Sequence, residues 1–216
     1  MANGYSSPIT VVGCRCAADC AYWQPAMPWN SDSPDEELML CYRDGDAGAF
    51  DVLYRRHRGG LYRYVVRLIA NPGVADELFQ DVWTNLIRAR RTYTVSAKFT
   101  TYLYRLAHNR VIDYFRAHAG AASVSLDDED CPALPEPPAA RRDEPETALG
   151  VKQQAARLLE LLAALPAVQR EAFLLQQEGG LSVEEIADAT GVSRETAKSR
   201  LRYALVKLRQ GMSEWK

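Results

Sequence analysis

Residues 181–201, "LSVEEIADATGVSRETAKSRL", decide the fold of the C-terminal part of this 216-residue chain. Ser182 and Glu185 have the three-residue spacing of a capping box, so we predict a helix that begins at Ser182. Gly191 ends this short helix in a tight turn, because glycine adopts the left-handed backbone at low cost. Ser193 then caps a second helix. Two helices separated by a glycine-containing turn indicate a helix-turn-helix.

The second of these helices has an apolar face and a polar face. Residues at helical spacing define the face that we expect to be buried: Ala197, Leu201, Ala204, Leu205 and Leu208. The open side carries Arg194, Glu195, Lys198, Ser199 and Arg202. In a helix-turn-helix the second helix enters the major groove, where cationic and hydroxyl side chains bond phosphates and base edges. We therefore predict that this segment binds duplex DNA.

An amphipathic helix lies further toward the N-terminus, beyond a turn predicted at Asn71-Pro72-Gly73. Its apolar stripe, expected to be buried, is Phe79, Val82, Trp83, Leu86 and Ile87. Its polar face is Glu77, Gln80, Asp81, Asn85 and Arg88. Because the apolar stripe would hold this helix in the core, its polar face is available to bind a partner.

A basic, aromatic run follows that helix. Between Arg88 and Arg116 there are seven basic residues and a single acid, Asp113. Aromatic residues are interleaved with them: Tyr93, Phe99, Tyr102, Tyr104, Tyr114 and Phe115. Cations neutralise a nucleic-acid backbone and aromatic rings stack on unpaired bases, so the run is typical of single-strand binding. We also expect some of these rings, Phe99 and Tyr114 among them, to lie partly in the core.

The periodicity predicts an all-α fold of two small helical domains, at residues 35–118 and 150–212. Residues 119–149 join them. This segment has eight acidic residues against two arginines, together with five prolines, so we predict a flexible acidic linker. Residues 1–34 are rich in Gly, Pro, Ser and Cys and are predicted to form a poorly ordered N-terminal extension.

The sequence lacks the signals of a membrane protein, of a secreted protein and of a histidine-based catalytic site. No apolar run is long enough for a membrane span and no signal-peptide pattern is present, so we expect a cytoplasmic protein without membrane insertion. The five cysteines do not form a disulfide framework. Cys14, Cys16 and Cys20 are weak candidates for metal ligands, and we predict neither a metal nor a cofactor. The three histidines have no suitably spaced nucleophile or acid, so none of them is a candidate catalytic base.

Four segments, in order, resemble the sigma factors of bacterial RNA polymerase, specifically the small extracytoplasmic-function subgroup of the sigma-70 family. "DEELMLCYRDGDAGAFDVLYRRHRGGLYRYVVRLI" resembles the opening helices of region two, and "ADELFQDVWTNLIRA" resembles its core-polymerase-binding helix. "FTTYLYRLAHNRVIDYFR" resembles the promoter-melting segment, and residues 165–209 resemble region four, the helix-turn-helix. The resemblance implies a non-catalytic subunit that directs core polymerase to promoters, and no catalytic residue is expected because the polymerase makes the bonds.

Site residues carried over from this resemblance fall into three groups. The contact with the clamp helices of the largest polymerase subunit is assigned to Glu77, Gln80, Asp81, Asn85 and Arg88. The melted minus-ten DNA is assigned to Lys98, Phe99, Tyr102, Arg105, His108, Asn109, Arg110, Asp113 and Arg116. The minus-thirty-five duplex is assigned to Ser193, Arg194, Glu195, Thr196, Lys198, Ser199, Arg200 and Arg202. The family usually has Trp where Tyr102 stands, and an anti-sigma factor is its usual regulatory partner.

Two other functions remain open at this point. The first is a conventional helix-turn-helix regulator that acts without polymerase. This function would give no role to the polar face of the N-terminal helix or to the basic, aromatic run. The second is an enzyme, or a metal or redox sensor, that uses the cysteines.

Overall fold

The computed structural model describes residues 33–69, 71–118 and 148–213 of the chain. Within these ranges the structure contains helices and connecting turns without strands, so the predicted all-α class is confirmed. The helices are α1 (Asp35–Arg43), α2 (Ala47–Leu68), α3 (Pro72–Ala89), α4 (Phe99–His118), α5 (Ala148–Ala164), α6 (Ala167–Gly179), α7 (Val183–Thr190) and α8 (Arg194–Ser213). We call residues 33–118 the N-terminal domain and residues 148–213 the C-terminal domain. The predicted N-terminal extension lies almost wholly outside the described residues, as does the predicted linker.

Side chains at the helix starts explain why the N-terminal helices begin where they do. Asp46 caps α2 by accepting a hydrogen bond from Gly48 N at 2.8 Å. Asn71 caps α3 in the same way, accepting from Gly73 N at 3.0 Å, and Pro72 takes the first helical position. The turn predicted at Asn71-Pro72-Gly73 is therefore the beginning of a helix.

The apolar stripe of α3 is buried as predicted except at one edge. Val82, Trp83 and Leu86 are buried and Phe79 is half-buried, but 42% of Ile87 is exposed. The buried arc is centred near Val82. Ile87 lies about 140° around the helix from Val82 at 100° per residue. The prediction that Ile87 is buried was wrong, because the five-member stripe from Phe79 to Ile87 is wider than the arc of α3 that the core covers.

The C-terminal domain contains the predicted helix-turn-helix. Glu185 N donates to Ser182 Oγ at 3.3 Å, and Ser182 N donates to Glu185 Oε2 at 2.8 Å, so the capping box is formed. Gly191 follows α7 with φ of 70°, the left-handed conformation that favours glycine. On α8 the buried side chains include Ala197, Leu201, Ala204 and Leu208, while Leu205 is half-buried.

The two domains pack directly against each other. Helix α2 lies against α6, and α4 lies against α7. Buried apolar residues of both domains belong to one continuous core cluster, which runs from Leu38 in α1 to Leu201 in α8. This arrangement was not predicted from the sequence, which indicated only two helical units joined by a linker.

Candidate polymerase and nucleic-acid interfaces

The polar face of α8 is open to solvent. Ser193 Oγ accepts from Thr196 N at 3.1 Å and so caps the helix that carries this face. The exposed positions in its first three turns are Arg194, Glu195, Lys198, Ser199 and Arg202, as the sequence predicted. Thr196 and Arg200, which were also assigned to duplex DNA, are half-buried.

Arg194 is held by an ion pair within the helix-turn-helix. Its Nε lies 2.5 Å from Glu184 Oε1 of α7, and both side chains are more than half exposed. The hydrogen bond from Arg194 lowers the pKa of Glu184. An exposed pair of this kind contributes little to stability. It positions the guanidinium at the start of α8, from which it can reach a phosphate if the pair opens.

Four exposed residues of α4 form one stripe along the helix. Arg105, Asn109, Asp113 and Arg116 are exposed, and their spacing of four, four and three residues places them on one face. Tyr102, three residues before Arg105, is half-buried at the end of this stripe. We refer to Tyr102, Arg105, Asn109, Asp113 and Arg116 as the α4 stripe. It places cations, an amide and an aromatic ring where a single strand could lie along the helix.

Tyr102 packs against Tyr93 from the loop before α4. The two ring centroids lie 5.2 Å apart with the planes inclined at 63°. Burial raises the pKa of Tyr102, and it raises the pKa of Tyr93 to about 12, so both phenols are neutral near pH 7. An edge-to-face pair fixes the orientation of the Tyr102 ring, which is therefore a pre-positioned stacking surface.

Three residues assigned to minus-ten DNA are buried or bonded to other parts of the protein. Phe99 is completely buried, which contradicts a direct contact with DNA; its expected contribution to the core is confirmed. His108 Nδ1 lies 2.7 Å from Glu171 Oε1 of the C-terminal domain, and only 15% of the His108 side chain is exposed. Arg110 Nε donates to Asp81 Oδ2 at 2.7 Å, which links α4 to the polar face of α3.

Glu36 is a residue that the sequence analysis missed. Its Oε1 accepts a hydrogen bond from Phe99 N at 2.7 Å, so a side chain of α1 caps the N-terminus of α4. Local sequence gives no signal for a cap supplied by a residue 63 positions earlier. Glu36 therefore positions the start of the helix that carries the α4 stripe.

Replacing Glu36 by Ala is expected to destabilise the N-terminal domain by about 1 kcal/mol, the usual cost of losing a helix cap. For a chain of this size the melting temperature should fall by about 2–4 °C. Thermal unfolding followed by circular dichroism measures this. Glu37→Ala is the matched control, because Glu37 is a neighbouring exposed acid in the first turn of α1. An equal loss in both variants would contradict the capping role.

The polar face of α3 carries the residues assigned to core polymerase. Glu77, Gln80 and Arg88 are exposed, while Asp81 and Asn85 are half-buried. Ile87 is exposed beside Arg88 and was missed as a member of this surface. Polar residues around an exposed aliphatic side chain are typical of a protein-binding surface.

The alternative of a cysteine-based sensor depends mainly on Cys14, Cys16 and Cys20, and these three residues lie outside the described ranges. Cys41 is half-buried and free, and burial raises the pKa of its thiol. The described ranges hold no cluster of three His, Cys, Asp or Glu side chains suited to a metal ion. Among these helices, none combines the length and apolar character needed to cross a bilayer.

Each of the two domains matches the model of a known protein family. Residues 53–120 match the model of sigma-70 region 2, and residues 155–208 match the model of sigma-70 region 4. The chain therefore belongs to the sigma-70 family of RNA polymerase sigma factors, in its extracytoplasmic-function subgroup.

Similar proteins extend over most of the chain. The RNA polymerase sigma factor CarQ of Myxococcus xanthus is 30% identical over 181 residues, which is 82% of this chain and 96% of CarQ. The sigma factor SigM of Mycobacterium tuberculosis H37Rv is 29% identical over 81% of this chain and 82% of SigM. CnrH, solved in complex with the cytosolic domain of CnrY, has a similar fold, with a TM-score of 0.60 and 21% identity over 84% of this chain and 99% of CnrH. The sigma factor RpoE of Bartonella quintana, solved with the anti-sigma factor NepR, gives a TM-score of 0.56 at 20% identity, over 76% of this chain and 96% of RpoE.

Proposed function

We propose that this sigma factor uses three separate surfaces to start transcription. The polar face of α3 binds the clamp helices of core polymerase, α8 reads the minus-thirty-five duplex, and the α4 stripe binds the melted minus-ten strand. The observation that carries the proposal is the presence on one chain of an open helix-turn-helix face and of a cationic, aromatic face on a separate domain. Core polymerase forms the phosphodiester bonds, so the protein needs no catalytic group of its own.

Duplex recognition follows from the geometry of α8. The helix presents Lys198, Ser199 and Arg202 from its N-terminal half, the part that enters the major groove in a helix-turn-helix. Phosphate contacts by the cations supply affinity that falls as salt rises, whereas contacts to base edges supply the choice of promoter. Arg194 would exchange its exposed Glu184 partner for DNA.

Strand capture follows from the α4 stripe. Arg105 and Arg116 neutralise phosphates, Asn109 can hydrogen-bond the edge of an unstacked base, and the fixed ring of Tyr102 offers a face for stacking. Tyrosine presents a smaller face than the tryptophan usual in the family, so each stacked base gains less contact area. The carboxylate of Asp113, which lies within the stripe, repels phosphate. The DNA backbone is therefore expected to pass to one side of Asp113.

A conventional regulator that acts without polymerase is less consistent with the chain. Such a protein would need the helix-turn-helix alone, whereas the N-terminal domain matches sigma-70 region 2. We further propose that the protein acts in the cytoplasm, where core polymerase and DNA are found, and that an anti-sigma factor regulates it. The solved complexes of related folds with such partners support this regulation.

Asn109→Ala is expected to reduce promoter melting by about tenfold without weakening the binding of core polymerase. The lost base contact is made only once the bases are unpaired, so the effect should appear in melting and not in duplex binding. Permanganate reactivity of unpaired thymines in the holoenzyme–promoter complex measures the opening.

The control for this experiment is Arg55→Ala, on the exposed surface of α2 away from the α4 stripe. It should melt the promoter as well as the unaltered protein does. Normal melting by Asn109→Ala would contradict the assignment of Asn109 to the melted strand.

A further inference from the structure

Glu195 is the single acidic residue of α8. The helix carries six basic residues, and Glu195 stands second in it, directly after Arg194. It is exposed on the polar face that would meet DNA. A carboxylate on this face repels the phosphates that the neighbouring cations attract. It therefore lowers the affinity of α8 for DNA unless the DNA offers it a hydrogen-bond donor.

The carboxylate of Glu195 is not bonded to the cations beside it. Arg194 Nε bonds to Glu184 Oε1 of α7 at 2.5 Å instead. This hydrogen bond raises the pKa of Arg194, and the charge of Glu195 adds a smaller contribution. Within the described residues neither Glu195 nor Lys198, three positions later, makes a hydrogen bond or an ion pair. The carboxylate oxygens of Glu195 are therefore free to accept from a donor outside the protein.

The position of Glu195 along α8 is one that reads bases in a helix-turn-helix. In this motif, residues at the N-terminal end of the second helix contact base edges in the major groove. Ser199, one turn after Glu195, and Arg202, two turns after it, lie on the same side of the helix, and both are exposed. Glu195 thus lies within the surface proposed to bind the minus-thirty-five duplex.

The major groove offers few donors to a carboxylate. Guanine presents two acceptors there, and thymine presents an acceptor and a methyl group. Cytosine presents its N4 amino group, whereas adenine presents its N6 amino group beside the N7 acceptor. Because the N7 acceptor of adenine repels a carboxylate, cytosine is the best partner among the four bases.

We propose that Glu195 selects a cytosine at one position of the minus-thirty-five element by accepting a hydrogen bond from its N4 amino group. The proposal rests on the three-surface function given above, in which α8 reads this duplex. The bond to cytosine offsets the repulsion between the carboxylate and the DNA backbone. Guanine or thymine at the same position leaves that repulsion in place, so Glu195 disfavours wrong promoters as well as binding the right one.

A glutamate in the first turn of a helix also interacts favourably with the partial positive charge of the helix N-terminus. This interaction stabilises α8 whatever the DNA sequence, and it predicts no preference among bases. The N-terminus of α8 already has a cap, because Ser193 Oγ accepts from Thr196 N at 3.1 Å. Base selectivity therefore distinguishes the two roles of Glu195.

The affinity of the holoenzyme for substituted promoters tests the assignment. Holoenzyme is reconstituted from core polymerase and the full-length protein. Each minus-thirty-five base pair of a promoter located by run-off transcription is changed in turn to the other three. We expect one position at which a G·C pair in one orientation binds about tenfold more tightly than the reversed pair or than the pair with thymine in place of the cytosine. Adenine in place of the cytosine should give an intermediate affinity.

Glu195→Gln should change the preferred base at that position and at no other. The glutamine amide donates to N7 of adenine and accepts from its N6 amino group, so adenine should now be preferred over cytosine. The ratio of the two affinities should change by about tenfold or more. Because a repelling charge is lost, the affinity for a random duplex should rise at the same salt concentration, while the affinity for the original promoter falls.

Glu160→Gln is the matched control. Glu160 is exposed on α5, a different helix of the same domain, where it pairs with Arg157 three residues earlier. The substitution makes the same change of charge and should keep every base preference of the unaltered protein. Circular dichroism checks that Glu160→Gln and Glu195→Gln are folded to the same extent.

The results separate this inference from the proposed function. If Glu195→Gln keeps all base preferences and loses only thermal stability, Glu195 acts on the helix alone, so the inference is wrong and the function stands. The same holds if the position that responds to Glu195→Gln prefers an A·T pair in the unaltered protein. A holoenzyme that binds every substituted promoter and a random duplex equally well would instead count against the proposed function.

Discussion

Lys198→Ala is expected to weaken binding of the holoenzyme to its promoter by about tenfold or more. Lys198 is exposed on the polar face of α8, in the half of the helix that would enter the major groove. A lost base contact costs about 1–3 kcal/mol, and 1.4 kcal/mol is a factor of ten in affinity. Titration of labelled promoter DNA with holoenzyme measures the change.

Salt dependence identifies the kind of contact that Lys198 makes. If it binds a phosphate, the slope of log affinity against log salt should decrease by about one and all sequences should be affected alike. If it binds a base, discrimination at one promoter position should be lost.

The matched control is Lys207→Ala. Lys207 is exposed on the same helix but nine residues away, about 13 Å further along and on the opposite face. Equal weakening by the two substitutions would indicate a general effect of charge, and would contradict specific recognition through Lys198.

The double substitution Glu77→Lys and Gln80→Ala is expected to reduce the affinity for core polymerase by at least tenfold. Both residues are exposed on α3, and the change reverses one charge and removes one amide from the surface assigned to the clamp helices. A few residues carry most of the energy of a protein interface, so two changes at its centre should be measurable. Co-elution with core polymerase, followed by a fluorescence titration, measures the loss.

Asp51→Lys is the control for charge reversal. Asp51 is exposed on α2, where its partner is the exposed Arg55 of the same helix. Pairs of this kind contribute little to stability, so the variant should fold and should bind core polymerase normally. Normal binding by the Glu77→Lys, Gln80→Ala protein would show that α3 is not the polymerase-binding helix.

Local sequence predicted the C-terminal domain well because its determinants are local. Ser182 and Glu185 lie three residues apart, and Gly191 adopts the turn that its own backbone favours. The same logic predicted the cap that Ser193 supplies to α8 and most of the apolar faces of α3 and α8. It was wrong at Ile87, where the width of the buried arc depends on the packing of neighbouring helices and not on α3 alone.

Contacts between segments that are distant in the chain could not be predicted from local sequence patterns. The cap that Glu36 supplies to α4 joins residues 63 positions apart, and the Tyr64–Glu171 hydrogen bond joins residues 107 positions apart. An aromatic residue among cations suits both a core and a nucleic-acid surface, and the sequence alone could not assign Phe99 to one of them. Its complete burial settles that point in favour of the core.

The central claim is that this chain gives core polymerase its promoter specificity. Run-off transcription with purified core polymerase on genomic fragments, followed by mapping of the start sites, tests it most directly. We predict discrete transcripts that require the protein, with start sites downstream of a shared pair of minus-thirty-five and minus-ten sequences. Transcripts that are the same with and without the protein, or protein-bound promoters without any association with core polymerase, would contradict the claim.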